Sequence, residues 1–206
     1  MHVCYGDPVL ARAIALLCKT PRIAMAMSFA SSIAMAGCDT EPTEPAVDPW
    51  PSTEQCEGLE AWPSASAQLE RDVLRRIEAL RDEGTDCGER GKYGPASTLV
   101  RRTALDCAAR THAQDLAMLG DAQRIGTDGR DERERVEAAG YSATLVLQHV
   151  AAGPRDAEEL VDRTWLPRPV PCSSLSSDEV TEIGLGHVAR SDDDFENYWV
   201  VLLAAP

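Results

Sequence analysis

Three histidines and a run of serines are the side chains in this sequence best suited to catalysis or metal binding. His112, His149 and His187 lie far apart along the chain, and no two of them have a spacing typical of metal ligands. The serines at 173–177 lack the G-x-S-x-G context of a nucleophile and predict a loop. His112 falls on the apolar face of a predicted helix, which favours a half-buried, hydrogen-bonded histidine. These residues alone indicate no catalytic centre and no metal or cofactor site.

An acidic run near the end of the chain is a second feature with possible chemistry. Asp192, Asp193, Asp194 and Glu196 lack the spaced ligands and the glycine of an EF-hand loop, so they predict a solvated turn rather than a calcium site. The whole chain has 34 acidic and 20 basic residues, a formal net charge of -14. This balance argues against a nucleic-acid partner, because binding to a phosphate backbone depends on clustered Lys and Arg.

The first 38 residues have the pattern of an export signal. Lys19 and Arg22 precede an apolar stretch, residues 23–36, that contains no charged residue and is followed by Gly37 and Cys38. The stretch is shorter than the roughly 20 residues that a transmembrane helix needs. This pattern resembles the signal peptide and lipobox of bacterial lipoproteins. We therefore expect residues 1–37 to be removed and Cys38 to carry the lipid, with an uncleaved anchor as the alternative.

The residues after Cys38 differ in composition from the rest of the chain. Five prolines and several acidic residues lie between residues 39 and 65, with little periodic apolar pattern. Such a composition predicts an extended linker for residues 38–65. Residues 66–206 are long enough to form one domain with a single core.

Cysteine usage agrees with export. Without the signal peptide and the acylated Cys38, four cysteines remain: Cys56, Cys87, Cys107 and Cys172. An even number in an oxidising compartment predicts two disulfides, for which three pairings are possible.

The remaining pattern predicts the elements that would position these side chains. Apolar periodicity predicts four helices, which lie between Ser66 and Gly84, Thr103 and Gly120, Asp131 and Gly140, and Asp156 and Pro167. The last three of them begin with the sequence pattern of a capping box. Alternating or continuous apolar runs predict strands at Thr144 to Ala151, Thr181 to Ala189 and Tyr198 to Leu203, the last two as an antiparallel hairpin. Helices segregated around a small antiparallel sheet indicate an α+β domain or a three-layer αβα domain.

Several short motifs also occur in an order that is similar to a known family. Between Val73 and Leu203 the chain resembles the CAP superfamily, the domain of cysteine-rich secretory proteins, antigen 5 and pathogenesis-related proteins, in its bacterial SCP-like branch. The resemblance rests on the segments 77–81, 105–117, 127–129, 135–141, 150–153, 157–166, 181–186 and 198–199. It implies a three-layer αβα sandwich with a small antiparallel sheet.

The resemblance also implies a cleft whose histidines and glutamates can hold a divalent metal, and this chain departs from that pattern. Arg124 and Pro171 stand where bacterial relatives have histidines, and Gln148 stands where they have a glutamate. Arg124 and Pro171 offer no lone pair, and Gln148 offers one weak amide oxygen. We expect a degenerate cavity at Arg124, Gln148, His149 and Pro171 that binds no metal. If the comparison with the family pattern is shifted by one or two residues, His149 is left as a residual metal ligand.

The family pattern implies a disulfide pairing as well. An early Cys-Gly, matched by Cys87-Gly88, joins the cysteine after the lost histidine, which is Cys172 here. This pairing leaves Cys56 to bond with Cys107.

Together these features predict an extracytoplasmic protein of a bacterial cell envelope, anchored to a membrane by its lipid. A degenerate cavity favours a non-catalytic module without a cofactor that binds a lipid, a polysaccharide or another envelope protein. The alternative is an envelope hydrolase with an atypical site around Gln148 and His149. A structural module that binds nothing small is a third possibility.

Overall fold

The computed structural model describes residues 48–206, so the predicted signal peptide, Cys38 and the first part of the predicted linker lie outside the described residues. The helices are α1 (Ser64–Glu83), α2 (Thr103–Leu119), α3 (Glu132–Ala138), a π-helix (Glu158–Trp165) and α4 (Pro169–Ser176). The strands are β1 (Thr85–Asp86), β2 (Lys92–Tyr93), β3 (Val100–Arg101), β4 (Leu145–Ala152), β5 (Glu182–Ala189) and β6 (Asn197–Ala205). Within residues 48–206, none of the helices combines the length and the apolar character needed to span a bilayer.

A four-stranded sheet in the order β3-β5-β6-β4 forms the middle of the domain. Strands β5 and β6 form the predicted antiparallel hairpin, and β4 pairs antiparallel with β6 over its whole length. The short β3 adds a parallel pair to the outer edge of β5. Strands β1 and β2 form a separate two-stranded sheet. The prediction of an α+β domain built on a small, mainly antiparallel sheet is confirmed.

Strand β6 shows how the sheet separates two apolar cores. Its side chains alternate between the two faces, as the two-residue period of a strand requires. Tyr198, Val200 and Leu202 pack with α2 and α3 in one core. Trp199, Val201 and Leu203 pack with α1, the π-helix and α4 in the other. Helices therefore cover both faces, which gives the three-layer αβα arrangement.

Two glycines in β5 set the distance between α2 and the sheet. A methyl group at Gly184 would lie 2.1 Å from the carbonyl carbon of Leu105, and one at Gly186 would lie 2.4 Å from the carbonyl oxygen of Ala109. Real side chains do not approach a backbone that closely. The small residues Ala108 and Ala109 on α2 complete the contact and are fully buried. The helix backbone therefore lies directly on the sheet backbone.

A group of buried charges joins α1, α2 and β3. Glu70 has no exposed surface and accepts hydrogen bonds from the guanidinium groups of Arg110 and Arg101, at 2.7 and 2.6 Å. Arg101 also donates to Asp106, which accepts the backbone N–H of Leu185 in β5. Burial raises the pKa of Asp106 to about 6 in spite of these donors. Every member of the group has a partner, as buried charges require.

The starts of the helices agree only in part with the sequence signals. Asp131 and Glu134 form the predicted capping box of α3. The capping box predicted at Thr103 is wrong, because Arg102 is the N-cap residue of α2 and the carboxylate of Asp106 binds Arg101 and Leu185 instead. The loop predicted for the serines at 173–177 is also wrong over its first four residues, which belong to α4.

Both disulfides have the pairing that the family resemblance implied. Cys56 is bonded to Cys107 of α2, and Cys87 is bonded to Cys172 of α4. The second bond closes a loop of 85 residues. On the chain-entropy model such a loop contributes about 4 kcal/mol by restricting the unfolded chain.

Residues 48–63 lie against the domain, which differs from the extended linker predicted for residues 38–65. The side chain of Trp50 donates to the carbonyl of Cys56, and Thr103 donates to the carbonyl of Pro49. Trp50 and Trp62 both stack on the guanidinium of Arg110, with 5.4 and 5.0 Å between Cζ and the ring centroids. The disulfide and the two tryptophans supply the packing that the proline-rich composition did not indicate.

The contact at Gly184 predicts a large loss of stability on adding one methyl group. We expect Gly184→Ala to lower the free energy of unfolding by about 3 kcal/mol or more, because neither the backbone of Leu105 nor that of β5 can move without separating the layers. Urea denaturation of the purified domain measures this change. Gly94→Ala is the matched control, since a methyl group at Gly94 meets no atom within 4 Å. Equal stability of the two variants would contradict the packing argument.

Candidate functional site

The four positions predicted to line a degenerate cavity are divided between the two faces of the sheet. Gln148 lies on the α2 side of β4, where it donates to the carbonyl of Arg124 at 3.0 Å. His149 points to the opposite face, and its ring lies 6.0 Å from that of Trp165. Pro171 belongs to α4, which packs on that second face through Leu175. The structure therefore brings Arg124 and Gln148 together but separates them from His149 and Pro171.

The guanidinium of Arg135, a residue of α3, fills the space beside Arg124 and Gln148. Arg135 is 2% exposed, and its Nη2 donates to the Arg124 carbonyl at 2.8 Å and to Gln148 Oε1 at 2.9 Å. Its Nη1 donates to the carbonyl of Arg130. The side chain of Arg124 itself points outward and pairs with Glu132. A divalent metal ion in this cavity would need side chains that offer lone pairs. The positively charged guanidinium of Arg135 lies there instead, so these residues do not fit such an ion.

His112 lies next to this cluster on α2. Its side chain is fully buried, and Nε2 lies 2.9 Å from the carbonyl oxygen of Gln123. Because a carbonyl only accepts, Nε2 carries the proton. Nδ1 has no hydrogen-bond partner and lies 3.8 Å from Asp115, whose carboxylate accepts the N–H and the hydroxyl of Thr127. His112 and Asp115 thus hold the loop between α2 and α3 in place. The predicted hydrogen bond of His112 is present, but its side chain is fully buried rather than half-buried.

Burial keeps His112, His149 and His187 neutral at physiological pH. Desolvation, together with the nearby positive charge of Arg135, lowers the pKa of His112 to about 4. Desolvation alone lowers the pKa of His149 to about 4. It also lowers the pKa of His187, whose two ring nitrogens are hydrogen-bonded to Ser66 and Asn197 at 3.0 Å each.

The arrangement has little capacity for chemistry. A general base needs access to a substrate proton, and the rings of His112 and His187 are buried. Gln148 and His149 face opposite sides of one sheet, so the hydrolase site predicted around them is not favoured. In the part of the chain that the structure describes, no three His, Cys, Asp or Glu side chains are arranged to hold a metal ion.

A surface groove lies elsewhere, where the end of β5 meets α2 and the segment before α1. One hollow of about 450 Å³ is bordered by Trp62, Pro63, Ser66 and His187. A second, of about 570 Å³, is bordered by Ala117, Met118 and Arg190. The two hollows share three lining residues: Gln114, Val188 and Ala189.

Sequence reasoning did not find this groove. Its residues come from three segments that are far apart in the chain, and Trp62 lay in the region predicted to be a linker. The signals that were present are a tryptophan and a cysteine within a polar, proline-rich stretch, since both residue types are usually buried. Arg135 lies in the family motif 135–141, and the sequence alone gives it no role in the site.

Solved structures with the same fold were found by comparison of the three-dimensional structure. An outer surface protein of Borrelia burgdorferi superposes with a TM-score of 0.56 and 18% sequence identity, over 67% of this chain and 92% of that one. An extracellular protein from Bacillus anthracis that contains an SCP domain superposes with a TM-score of 0.52 and 14% identity, over 70% of this chain and 44% of that one. This chain thus spans less than half of the second protein. No protein-family model and no curated protein matches the sequence.

The architecture is a three-layer αβα sandwich with two disulfides and a four-stranded sheet. Its fold is that of the CAP superfamily, in agreement with the order of motifs in the sequence.

Removal of the Arg135 side chain should destabilise the domain, because it removes three hydrogen bonds in a partly buried cluster: those to the carbonyls of Arg124 and Arg130 and to Gln148 Oε1. We expect Arg135→Met to lower the free energy of unfolding by about 2 to 3 kcal/mol. Urea denaturation measures this change. Arg163→Met is the control, because the pair of Arg163 with Glu158 is about two-thirds exposed, 65% and 66%, and such pairs contribute less than about 1 kcal/mol. A stable Arg135→Met variant would mean that Arg135 is not what closes this site.

Proposed function

We propose that this chain is an extracytoplasmic, lipid-anchored CAP-type domain with a binding or structural role and no catalytic activity. The observation that carries this proposal is the cluster of Arg135, Arg124 and Gln148. In this cluster the groups that correspond to a polar cleft are hydrogen-bonded to one another, and the Arg135 side chain between them is buried. A domain that keeps its scaffold and fills its cleft is suited to presenting a surface rather than to turning over a substrate.

Two features support an extracytoplasmic location. The domain holds two disulfides, which form and persist in oxidising compartments. The proteins of similar structure are an outer surface protein and an extracellular protein.

Attachment by lipid at Cys38 remains a proposal based on the signal-peptide pattern. The structure adds a geometric consequence. The chain joins the domain near the start of α2, where Asp48 lies 3.7 Å from Arg102 and the carbonyl of Pro49 binds Thr103. Met118 borders the groove near the other end of the same helix, about 22 Å away at 1.5 Å per residue. The Met118 end of the groove therefore lies at the end of α2 opposite to the point where the chain joins the domain, whereas Trp62 lies closer to that point, beside Trp50.

The ligand expected for such a module is a lipid, a polysaccharide or another envelope protein. The groove has apolar walls and few charged groups, which is typical of binding sites. We therefore place the binding role at the groove rather than at the filled cleft.

Absence of catalysis is testable with the purified full chain. We expect no turnover of a panel of ester and peptide substrates above that of a heat-denatured sample, because the side chain of Gln148 is bonded to Arg135 and Arg124 and the nearby ring of His112 is buried. Release of chromophoric leaving groups and mass spectrometry of peptides measure turnover. Activity that disappears in Gln148→Ala would refute the non-catalytic proposal.

Lipid attachment is testable in cells that process bacterial lipoproteins. We expect the full chain to incorporate labelled palmitate and to sediment with membranes, because an acylated Cys38 inserts its acyl chains into the bilayer. Cys38→Ser should abolish both the label and the sedimentation, whereas Cys18→Ser, within the predicted signal peptide, should change neither. Membrane association that persists in Cys38→Ser would refute the anchor.

A further inference from the structure

The groove lies along a part of the sheet edge that has no neighbouring strand. Strand β5 runs over Glu182–Ala189, but β3 pairs only with Glu182 and Ile183. Among the described residues, no strand continues this pairing beyond Ile183. The far end of β5 on this side is an open edge.

The hydrogen-bond pattern shows which main-chain groups face that edge. Successive residues of a strand direct their N–H and C=O groups to opposite sides. The N–H of Arg190 donates to the carbonyl of Glu196 at the end of the hairpin. Counting back along β5 from Arg190, the N–H and C=O of every second residue therefore point toward β6. The residues between them face outward, as the carbonyl of Ile183 does when it accepts the N–H of Arg102.

By the same alternation, the N–H and C=O of Ala189 point to the open edge. His187 also faces this way but is buried under the first turn of α1, where it bonds to Ser66. Ala189 is exposed and lies where the two hollows of the groove meet. An incoming chain can therefore pair with the main chain of Ala189 and place side chains in the hollows on either side.

The walls of the groove suit apolar side chains. Met118 is 75% exposed, the most exposed of the large apolar residues in the described part of the chain. Ala117, Val188 and Pro63 add apolar surface around it. Trp62 borders the other hollow, where its ring is already fixed on one side by the guanidinium of Arg110.

The charge around the groove is negative. Arg190 is the one charged residue that lines the two hollows, and its guanidinium is paired with Asp192. Asp194 and Glu196 follow in the hairpin and are exposed. This loop lies at the end of α2, since the Arg190 side chain donates to the carbonyl of Ala117. Neither carboxylate forms an ion pair within the described part of the chain, although Arg155 lies near enough to Glu196 to interact with its charge. The excess of exposed carboxylates in this loop favours a cationic ligand.

We infer that the groove binds an extended peptide segment of a partner protein, which pairs with Ala189 as an added strand. Its apolar side chains contact Met118 and Trp62, and a Lys or Arg lies beside the acidic hairpin. This inference rests on the proposed binding role and names the class of partner. Strand addition of this kind combines main-chain hydrogen bonds for affinity with side-chain pockets for specificity.

The same observations disfavour other occupants. A lipid chain would cover the N–H and C=O of Ala189 without bonding to them, which costs free energy for each group. A second copy of this chain would bring the same acidic hairpin and a formal charge of -14 to the contact. A peptide with apolar and basic residues can bond to the N–H and C=O of Ala189 and can also place a positive charge beside the acidic hairpin.

The test uses the full chain in detergent and random linear peptides displayed on phage. We expect the selected peptides to combine apolar and basic residues and to bind with an affinity that calorimetry can measure. Met118→Lys should weaken the binding of the strongest peptide about tenfold or more, because it places a cation on the apolar wall of the groove. Leu119→Lys is the matched control, since it adds the same charge on the next residue, which is 43% exposed and does not line the groove.

A second measurement tests the main-chain pairing without changing the protein. Two forms of the peptide are compared, one N-methylated at its odd-numbered amides and the other at its even-numbered amides. One form should lose binding and the other should keep it, because only every second N–H of an added strand faces β5. Equal binding of both methylated forms, equal loss in Met118→Lys and Leu119→Lys, or the selection of no peptide would overturn the inference. So would a dimer that Met118→Lys dissociates, because a second copy would then occupy the edge.

These outcomes are distinct from failure of the proposed function. A chain that binds no peptide and turns over no substrate refutes the peptide site alone. Turnover of ester or peptide substrates refutes the non-catalytic role, whether or not a peptide binds at Ala189.

Discussion

Direct contact between the backbones of α2 and β5 is the constraint on which the rest of the structure depends. Gly184 and Gly186 leave no side chain between the layers, so the helix lies at the closest distance that a sheet allows. That distance places Asp106 within reach of the Leu185 N–H. It also fixes the position of the other polar residues that α2 contributes. The charged group, the histidine beside the filled cleft and one wall of the groove all belong to this single helix: Asp106, Arg110, His112, Gln114 and Met118.

Buried polar groups in this domain join its helices and strands to one another. Glu70, Arg101 and Arg110 join α1 to α2 and to β3, while Arg135 and Gln148 join α3 to β4. Each carries charge or polarity into an apolar layer and has hydrogen-bond partners there, although Nε of Arg135 has none. A buried group with satisfied partners is costly to remove and has little freedom to react. The polar character of the interior is therefore compatible with a domain that has no active site.

Helix α1 could be predicted because its apolar residues follow the helical period. The hairpin of β5 and β6 could be predicted because two continuous apolar runs flank an acidic turn. Family resemblance supplied the disulfide pairing, which spacing alone left open. The predicted cavity placed Gln148 and His149 together, because it treated the family motif as the lining of one cleft. Adjacent residues of a strand face opposite sides of the sheet, so the two side chains are separated. Sequence could not indicate the groove, because Trp62, Gln114 and Ala189 meet only after the layers pack. Nor could it show that a proline-rich segment would be held by Cys56.

The bond between Cys56 and Cys107 has a mechanical consequence. A pull on the chain before residue 48 reaches the domain through the segment 48–55 and meets a covalent link at Cys56. From there the load passes to the second turn of α2, the helix that lies most closely on the sheet. Tension that detaches Trp50 and its neighbours therefore reaches α1 only after the disulfide has transferred load to α2. The disulfide thus divides an N-terminal pull between two helices that lie on opposite faces of the sheet.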